Sequence, residues 1–200
     1  MAPTARTRMT AAQRRQQLLD TTRGLVDDEG FHAVSIDAVA RRAGITRPVV
    51  YDHFPTLAAL LDATLDRETE RALGQLAAAL PAPSAATDRR ELLLARLEGY
   101  LGVVRADPVT WRLVLMPPEG APASLRKRIT AGRRAIVAEL ADVLRPARGA
   151  QGASPDPELT AHMLSAIADE AARLVLTEPE AYPVQRLMAN ARWMLDATAH

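Results

Sequence analysis

Thr46-Arg47-Pro48-Val49-Val50-Tyr51-Asp52-His53-Phe54 crowds polar chemistry into one short run. The Arg47 guanidinium has the shape to grip guanine O6 and N7 bidentately. Pro48 and Val49 offer apolar surface to thymine methyls. Tyr51 and His53, with Ser35 before them and Thr56 after them, carry groups suited to phosphate oxygens, which give affinity but little sequence information. Asp52 is repelled by phosphates, so it either orients a neighbour such as Arg47 or accepts a hydrogen bond from cytosine. Tyr51 has a second possible use, packing between the first and third helices.

These side chains need a scaffold, and the flanking pattern predicts one. Leu18, Leu19, Thr22, Leu25 and Val26 recur at helical spacing along a first helix, Ala11 to Asp28. Gly30 is placed to end it, with Phe31 folding back on Val26. The run Asp27-Asp28-Glu29 has the wrong sign for a helix C-terminus, so Gly30 must act by geometry. Ser35 is an N-cap for a short second helix whose stripe is Ile36, Val39, Ala40 and Ala43. Gly44 stops that helix, Ile45 fills the turn, and Thr46 caps a third helix from Arg47 to Phe54. Pro48 is tolerated in its first turn, and Val50 and Phe54 face inward. A longer helix followed by two short ones about a Gly-containing turn describes a helix-turn-helix at about 35–54. The first 23 residues hold five arginines (Arg6, Arg8, Arg14, Arg15 and Arg23) against Asp20. Such an arm, with Arg6 and Arg8 foremost, can reach phosphates or a minor groove, or is simply a solvated tail.

The rest of the chain also reads as helix. Further helices are predicted at about Thr56–Leu80, Asp88–Ala106, Pro108–Met116, Pro122–Leu144, Pro157–Thr177 and Pro183–Ala197. Loops are predicted at Pro81–Ala86 and Arg145–Pro155. The expected fold is all-α with about nine helices: a DNA-binding domain at 1–55 and a helical effector-binding and dimerisation domain at 56–200. Tyr100, Trp111, Met116 and Met163 either line an adaptable apolar cavity or form ordinary core. Glu170 falls among Leu159, Met163, Ile167 and Leu174 on the eighth helix, where an acid needs a partner. A cationic ligand, Arg133, or a second copy of the chain could supply one. On the ninth helix Val184, Leu187, Met188, Ala191, Met194 and Leu195 form a stripe expected to build a dimer together with the eighth.

Other chemistry is excluded. The chain has no cysteine, hence no disulfide, thiolate catalysis or Cys-bound zinc. His162, Asp169 and Glu170 share a helix, but no Glu-x-x-His pair, phosphate-binding glycine loop or nucleophile motif accompanies them. No catalytic residue, metal or cofactor is expected. Neither a signal peptide nor a membrane span is visible, which predicts a cytoplasmic protein. The net charge of +1 does not itself indicate a partner.

The stretch Gly30–Phe54 resembles the tetracycline-repressor (TetR) family. The resemblance lies in Val39-Ala40 before the turn, the turn Ala43-Gly44-Ile45-Thr46, and the ending Tyr51-x-His53-Phe54. It implies a homodimeric helical repressor of a palindromic operator in double-stranded DNA. A small molecule bound in the C-terminal domain would respace the two third helices and release the DNA. It also places Thr46, Arg47, Pro48, Val49, Tyr51 and His53 on DNA-contacting positions. One departure is Leu57, where the family usually has a phosphate-contacting Lys. Thr56 and the free amides at the start of the fourth helix are the remaining phosphate donors there. The alternative is a DNA-binding regulator without a small-molecule effector, controlled by a partner protein or acting as an activator.

Overall fold

The computed structural model describes residues 9–82, 88–117, 121–145 and 156–197. Among them the regular elements are all helical: α1 (Ala11–Glu29), a 3-10 turn (Phe31–Ala33), α2 (Ile36–Ala43), α3 (Arg47–His53), α4 (Leu57–Ala79), α5 (Arg89–Ala106), α6 (Pro108–Leu115), α7 (Ala123–Leu144), α8 (Pro157–Thr177) and α9 (Val184–Ala197). The predicted all-α architecture is the one observed, with helix ends moved by about one residue. Arg6 and Arg8, most of the Pro81–Ala86 loop and nearly all of the Arg145–Pro155 loop lie outside the described residues.

Local chemistry sets the boundaries near the N-terminus. α1 opens on a capping box that the sequence reading missed. Thr10 Oγ1 accepts from the Gln13 N–H at 3.2 Å, and Gln13 Oε1 accepts from the Thr10 N–H at 2.8 Å. It closes at Gly30, whose φ of +82° suits glycine and whose N–H donates to the Val26 carbonyl at 3.0 Å. The acids before Gly30 are met by Arg42 of α2, which pairs with Asp28 and lies 3.6 Å from Glu29. α2 is capped by Ser35, whose Oγ accepts from the Ala38 N–H at 3.1 Å. It ends in a Schellman motif: Ile45 N–H donates to Ala40 O at 3.0 Å and Gly44 N–H to Arg41 O at 3.2 Å, with Gly44 at φ +66°. That turn aims α3. Val50 and Phe54 anchor α3 in the core, at 0% and 2% exposure.

The chain divides into two compact units, Met1–Glu68 with Pro118–Leu125, and Thr69–Pro117 with Arg126–His200. The first is organised around Leu18, Leu19, Leu25, Val26, Val39, Val50 and Phe54, all buried. It also takes in the first part of α4, through an ion network centred on the buried Glu68. Arg67 Nη2 lies 2.8 Å and Arg23 Nε 3.1 Å from the Glu68 carboxylate, and Arg67 Nη1 reaches Asp20 at 2.8 Å.

The second unit has a main core from α4 (Ala72, Leu76), α5 (Leu94, Leu101, Val104), α6 (Trp111, Leu115), α8 (Ala172, Val175) and α9 (Met188). A smaller cluster joins Val137, Ala141 and Leu144 of α7 to Ala161 of α8. α4 and α5 approach so closely that a Cβ on Gly99 would stand 2.5 Å from the Ala79 carbonyl oxygen. A buried polar hub ties α4 to α6. Asp107 accepts from Arg71 Nε at 2.5 Å, Gln75 Nε2 at 2.9 Å and Thr110 Oγ1 at 3.1 Å, while Gln75 Oε1 accepts from Trp111 Nε1 at 2.9 Å.

Candidate nucleic-acid interface

α3 is held by few residues and shows the rest of itself to solvent. Thr46, Arg47, Pro48, Tyr51 and Asp52 are exposed, and Val49 and His53 half-buried. Tyr51 is 45% exposed, so its ring is not consumed in the packing of α1 against α3. Thr46 occupies the N-cap position by its backbone alone, with no side-chain capping bond. Its hydroxyl is thus not committed to the helix. Ser35 and Thr56 differ. Their hydroxyl oxygens already accept backbone N–H groups, Thr56 Oγ1 from Ala59 at 3.0 Å, which leaves the O–H of each as the donor for a phosphate.

Two features of this face were not foreseen. The Arg15 guanidinium stacks over the Phe54 ring, 4.5 Å from its centroid, which fixes a cation beside the end of α3. Arg47 is oriented by Asp37 of α2, its Nε 3.1 Å from Oδ1, and not by Asp52. Five positions along a helix put Arg47 and Asp52 on different sides, whereas a pairing needs three or four. Neither contact leaves a local sequence signal, because each joins residues of separate elements.

In the second unit the predicted effector residues separate. Tyr100 and Trp111 meet edge to face at 5.3 Å, and Met116 packs on the same core. Trp111 is only 2% exposed, so the pair fills space as core. Met163, at 60% exposure, and Glu170 lie on the outside of α8. The acid that faces inward is Asp169, which accepts from Tyr100 Oη at 3.0 Å and pairs with Arg133. Glu170 pairs with Arg173 one turn away at 3.0 Å. Arg133, one of the three partners open to Glu170, is thus met one residue earlier, by Asp169, since consecutive helical residues point about 100° apart. Burial first, and then the charge and hydrogen bond of Asp169, raise the Tyr100 phenol well above the ordinary tyrosine value. A groove of about 250 Å³ between α5 and α9 is lined by Glu98, Gly102, Arg105, Val184, Met188 and Arg192, among others. None of the predicted effector residues borders it.

The predicted dimer stripe on α9 is also redistributed. Met188 is 2% exposed, and Val184, Leu187, Ala191 and Leu195 pack on the main core of their own unit. α9 covers α5 and so spends most of its apolar face within the chain. Of the six residues only Met194, at 37%, is exposed; Trp193 beside it is 67% exposed. On α8, Leu159 (56%), Met163 and Ile167 (47%) face outward.

Residues 18–64 match the family model for bacterial regulatory proteins of the tetR family. This segment is a tetR-family N-terminal domain by that match. The matched segment runs from the middle of α1 into α4 and contains the whole of α2 and α3. Two curated relatives align over about half of the chain or less. The HTH-type transcriptional activator FasR of Mycolicibacterium smegmatis is 33% identical over 107 residues, 54% of this chain and 48% of that protein. The HTH-type transcriptional regulator BetI of Cronobacter sakazakii is 36% identical over 86 residues, 43% of this chain and 42% of that protein. The chain thus spans about half the length of the curated relatives it matches. Among solved structures, a TetR-like transcriptional regulator from Rhodococcus sp. RHA1 superposes with a TM-score of 0.73 at 28% identity, covering 95% of this chain and 99% of that one. Among the described residues no helix is long and apolar enough to cross a membrane, and no group of three or more His, Asp or Glu is placed to hold a metal ion.

Proposed function

We propose that this chain is a homodimeric transcriptional repressor that binds palindromic DNA through α3 and leaves it when a small molecule binds the C-terminal unit. The observation that carries the reading is the division of labour on α3. Val50 and Phe54 hold it, and Thr46, Arg47, Pro48 and Tyr51 are left to solvent. A short helix with that distribution suits entry into a major groove, where Arg47 reads a base and Tyr51, His53, Thr56 and Arg15 meet phosphates. The outward apolar residues Leu159, Met163 and Ile167 of α8, with Trp193 and Met194 of α9, support a twofold interface between copies. The effector is proposed to enter the second unit by opening space within the core at Tyr100, Trp111 and Met116, with Asp169 and Arg133 as polar groups in place of Glu170. The protein is read as non-enzymatic and cytoplasmic.

A second reading is favoured by one observation: FasR, 33% identical over 107 residues, is named an activator. Selection of sites from a random duplex pool by the full-length chain, followed by reporter transcription from a promoter bearing the selected site, tests both. A palindromic site that silences the reporter supports the repressor, and one that raises transcription supports the activator. A pool with no enriched sequence overturns both. Thermal-shift screening of metabolites against the same chain tests the effector, which must also lower DNA affinity.

A further inference from the structure

Arg47 stands at the first position of α3, where the helix dipole disfavours a cation. Helix stability does not account for it. Asp37 lies in the first turn of α2, where the dipole favours an acid. The two side chains meet at 3.1 Å while both stay more than half exposed. Pairs so open to water add little to the stability of a fold, so this one has to be read for what it does to the exposed face.

The nitrogen that is engaged matters. A guanidinium carries five N–H donors in a rigid fork. Asp37 occupies Nε, and both terminal nitrogens of Arg47 are left to act. Those two are the pair that grips guanine O6 and N7 end-on. Without its acid, Arg47 has long rotamer freedom, and the nearest attraction on any DNA is a phosphate. With its acid, the side chain is steered by one end and its net charge is cancelled. Phosphate contacts are correspondingly less rewarding, and a guanine edge keeps its geometric match. Asp37 itself would be repelled by the duplex if Arg47 did not neutralise it.

We propose that Asp37 is the positioning residue for base reading by Arg47, holding Nε so that the terminal nitrogens face the groove and suppressing sequence-independent phosphate binding. This rests on the reading of α3 as the DNA-contacting element. Asp37 thus serves specificity at some cost in raw affinity, and its removal should move the two in opposite directions.

The test uses the full-length chain and the site it selects from a random duplex pool, with wild type, Asp37→Asn, Asp37→Glu, Arg47→Ala and the Asp37→Asn/Arg47→Ala double variant. Arg47→Ala should flatten preference at one base pair per half-site. Asp37→Asn should blunt that same base pair about 3- to 10-fold, a part of the full loss on removing the reading side chain. It should also bind unrelated DNA more tightly and steepen the log-log salt dependence by about 0.9 for each phosphate Arg47 gains. Asp37→Glu should restore most of the discrimination. The double variant should show no loss of base preference beyond Arg47→Ala alone. If Arg47→Ala flattens a base pair while Asp37→Asn leaves it sharp, the role of Asp37 is overturned and the reading of α3 stands. An Asp37→Asn variant that weakens equally on every sequence, with an unchanged salt slope, shows a structural role and overturns it as well. A chain that enriches no sequence overturns the DNA reading and this inference with it. Circular dichroism and melting of Asp37→Asn like those of wild type ensure that a change in preference is not a change in folding.

Discussion

Replacing Glu68 should be among the more damaging single changes in the first unit, although the residue lies away from the exposed face of α3. Its side chain is 3% exposed and receives Arg67 through Nε at 3.0 Å and Nη2 at 2.8 Å, with Arg23 Nε at 3.1 Å. In Glu68→Ala two guanidiniums lose the one buried anion they share. Breaking a fully buried pair costs about 3–5 kcal/mol. Here the arginines keep 22% and 24% exposure, and Arg67 retains Asp20, so water and Asp20 offset part of that. An intermediate loss of about 2–3 kcal/mol follows. Glu68→Gln keeps the shape and one acceptor but turns an amide N–H₂ toward a cation, for about 1–2 kcal/mol. Urea unfolding of the full chain, at one fixed protein concentration because the proposed dimerisation would shift apparent stability, measures both. A Glu68→Ala chain within about 0.5 kcal/mol of wild type, the range of an ordinary surface change, or a Glu68→Gln chain as stable as wild type, would refute the reasoning.

Gly99→Ala should destabilise, though alanine is the better helix former by about 1 kcal/mol, because its Cβ would lie 2.5 Å from a backbone oxygen; Gly74→Ala, with nothing within 4 Å, should gain stability, and thermal melts of the pair give the opposite signs directly. The raised Tyr100 phenol stays protonated in the folded chain while the unfolded one ionises near pH 10, so its contribution is complete below about pH 10 and is lost as pH rises further. Alkaline denaturation should therefore begin at higher pH in Tyr100→Phe than in wild type, relative to each protein's neutral-pH stability, and matching alkaline limbs would contradict this. Met163→Asp with Ile167→Asp should give a folded monomer by light scattering, whereas Met188→Asp, at a position 2% exposed, should unfold the second unit and not simply split a dimer; a double variant that stays dimeric removes α8 from the interface.

The helices were legible because their start and stop signals are local. Ser35, Gly44, Asp107-Pro108 and Asp156-Pro157 each carry the capping or backbone chemistry that places a boundary. The core of the first unit was legible for a related reason. Leu18, Val39, Val50 and Phe54 are large, and they are buried where their periodicity put them. Arg15 over Phe54 and Asp37 beside Arg47 were not, since tertiary proximity decides both.

α8 shows where periodicity stops being informative. A stripe of Leu159, Met163 and Ile167 announces that a face is apolar, but not which body covers it. The face that α8 turns to its own unit is built instead from Ala161, Ala172 and Val175, small side chains that admit close approach by α5 and α6, both of which contact it. The larger apolar residues thereby face outward together with Glu170, and the inward acid is Asp169. A helix whose small residues pack inside and whose large apolar residues face solvent has been shaped on both sides. A single chain satisfies only the small-residue face of α8. The large-residue face, with Trp193 and Met194 also exposed on α9, is the surface on which a second copy can complete the burial. Met188 and its neighbours then stabilise the unit from within, and the dimerisation expected of the α9 stripe would fall instead to the outward faces of α8 and α9.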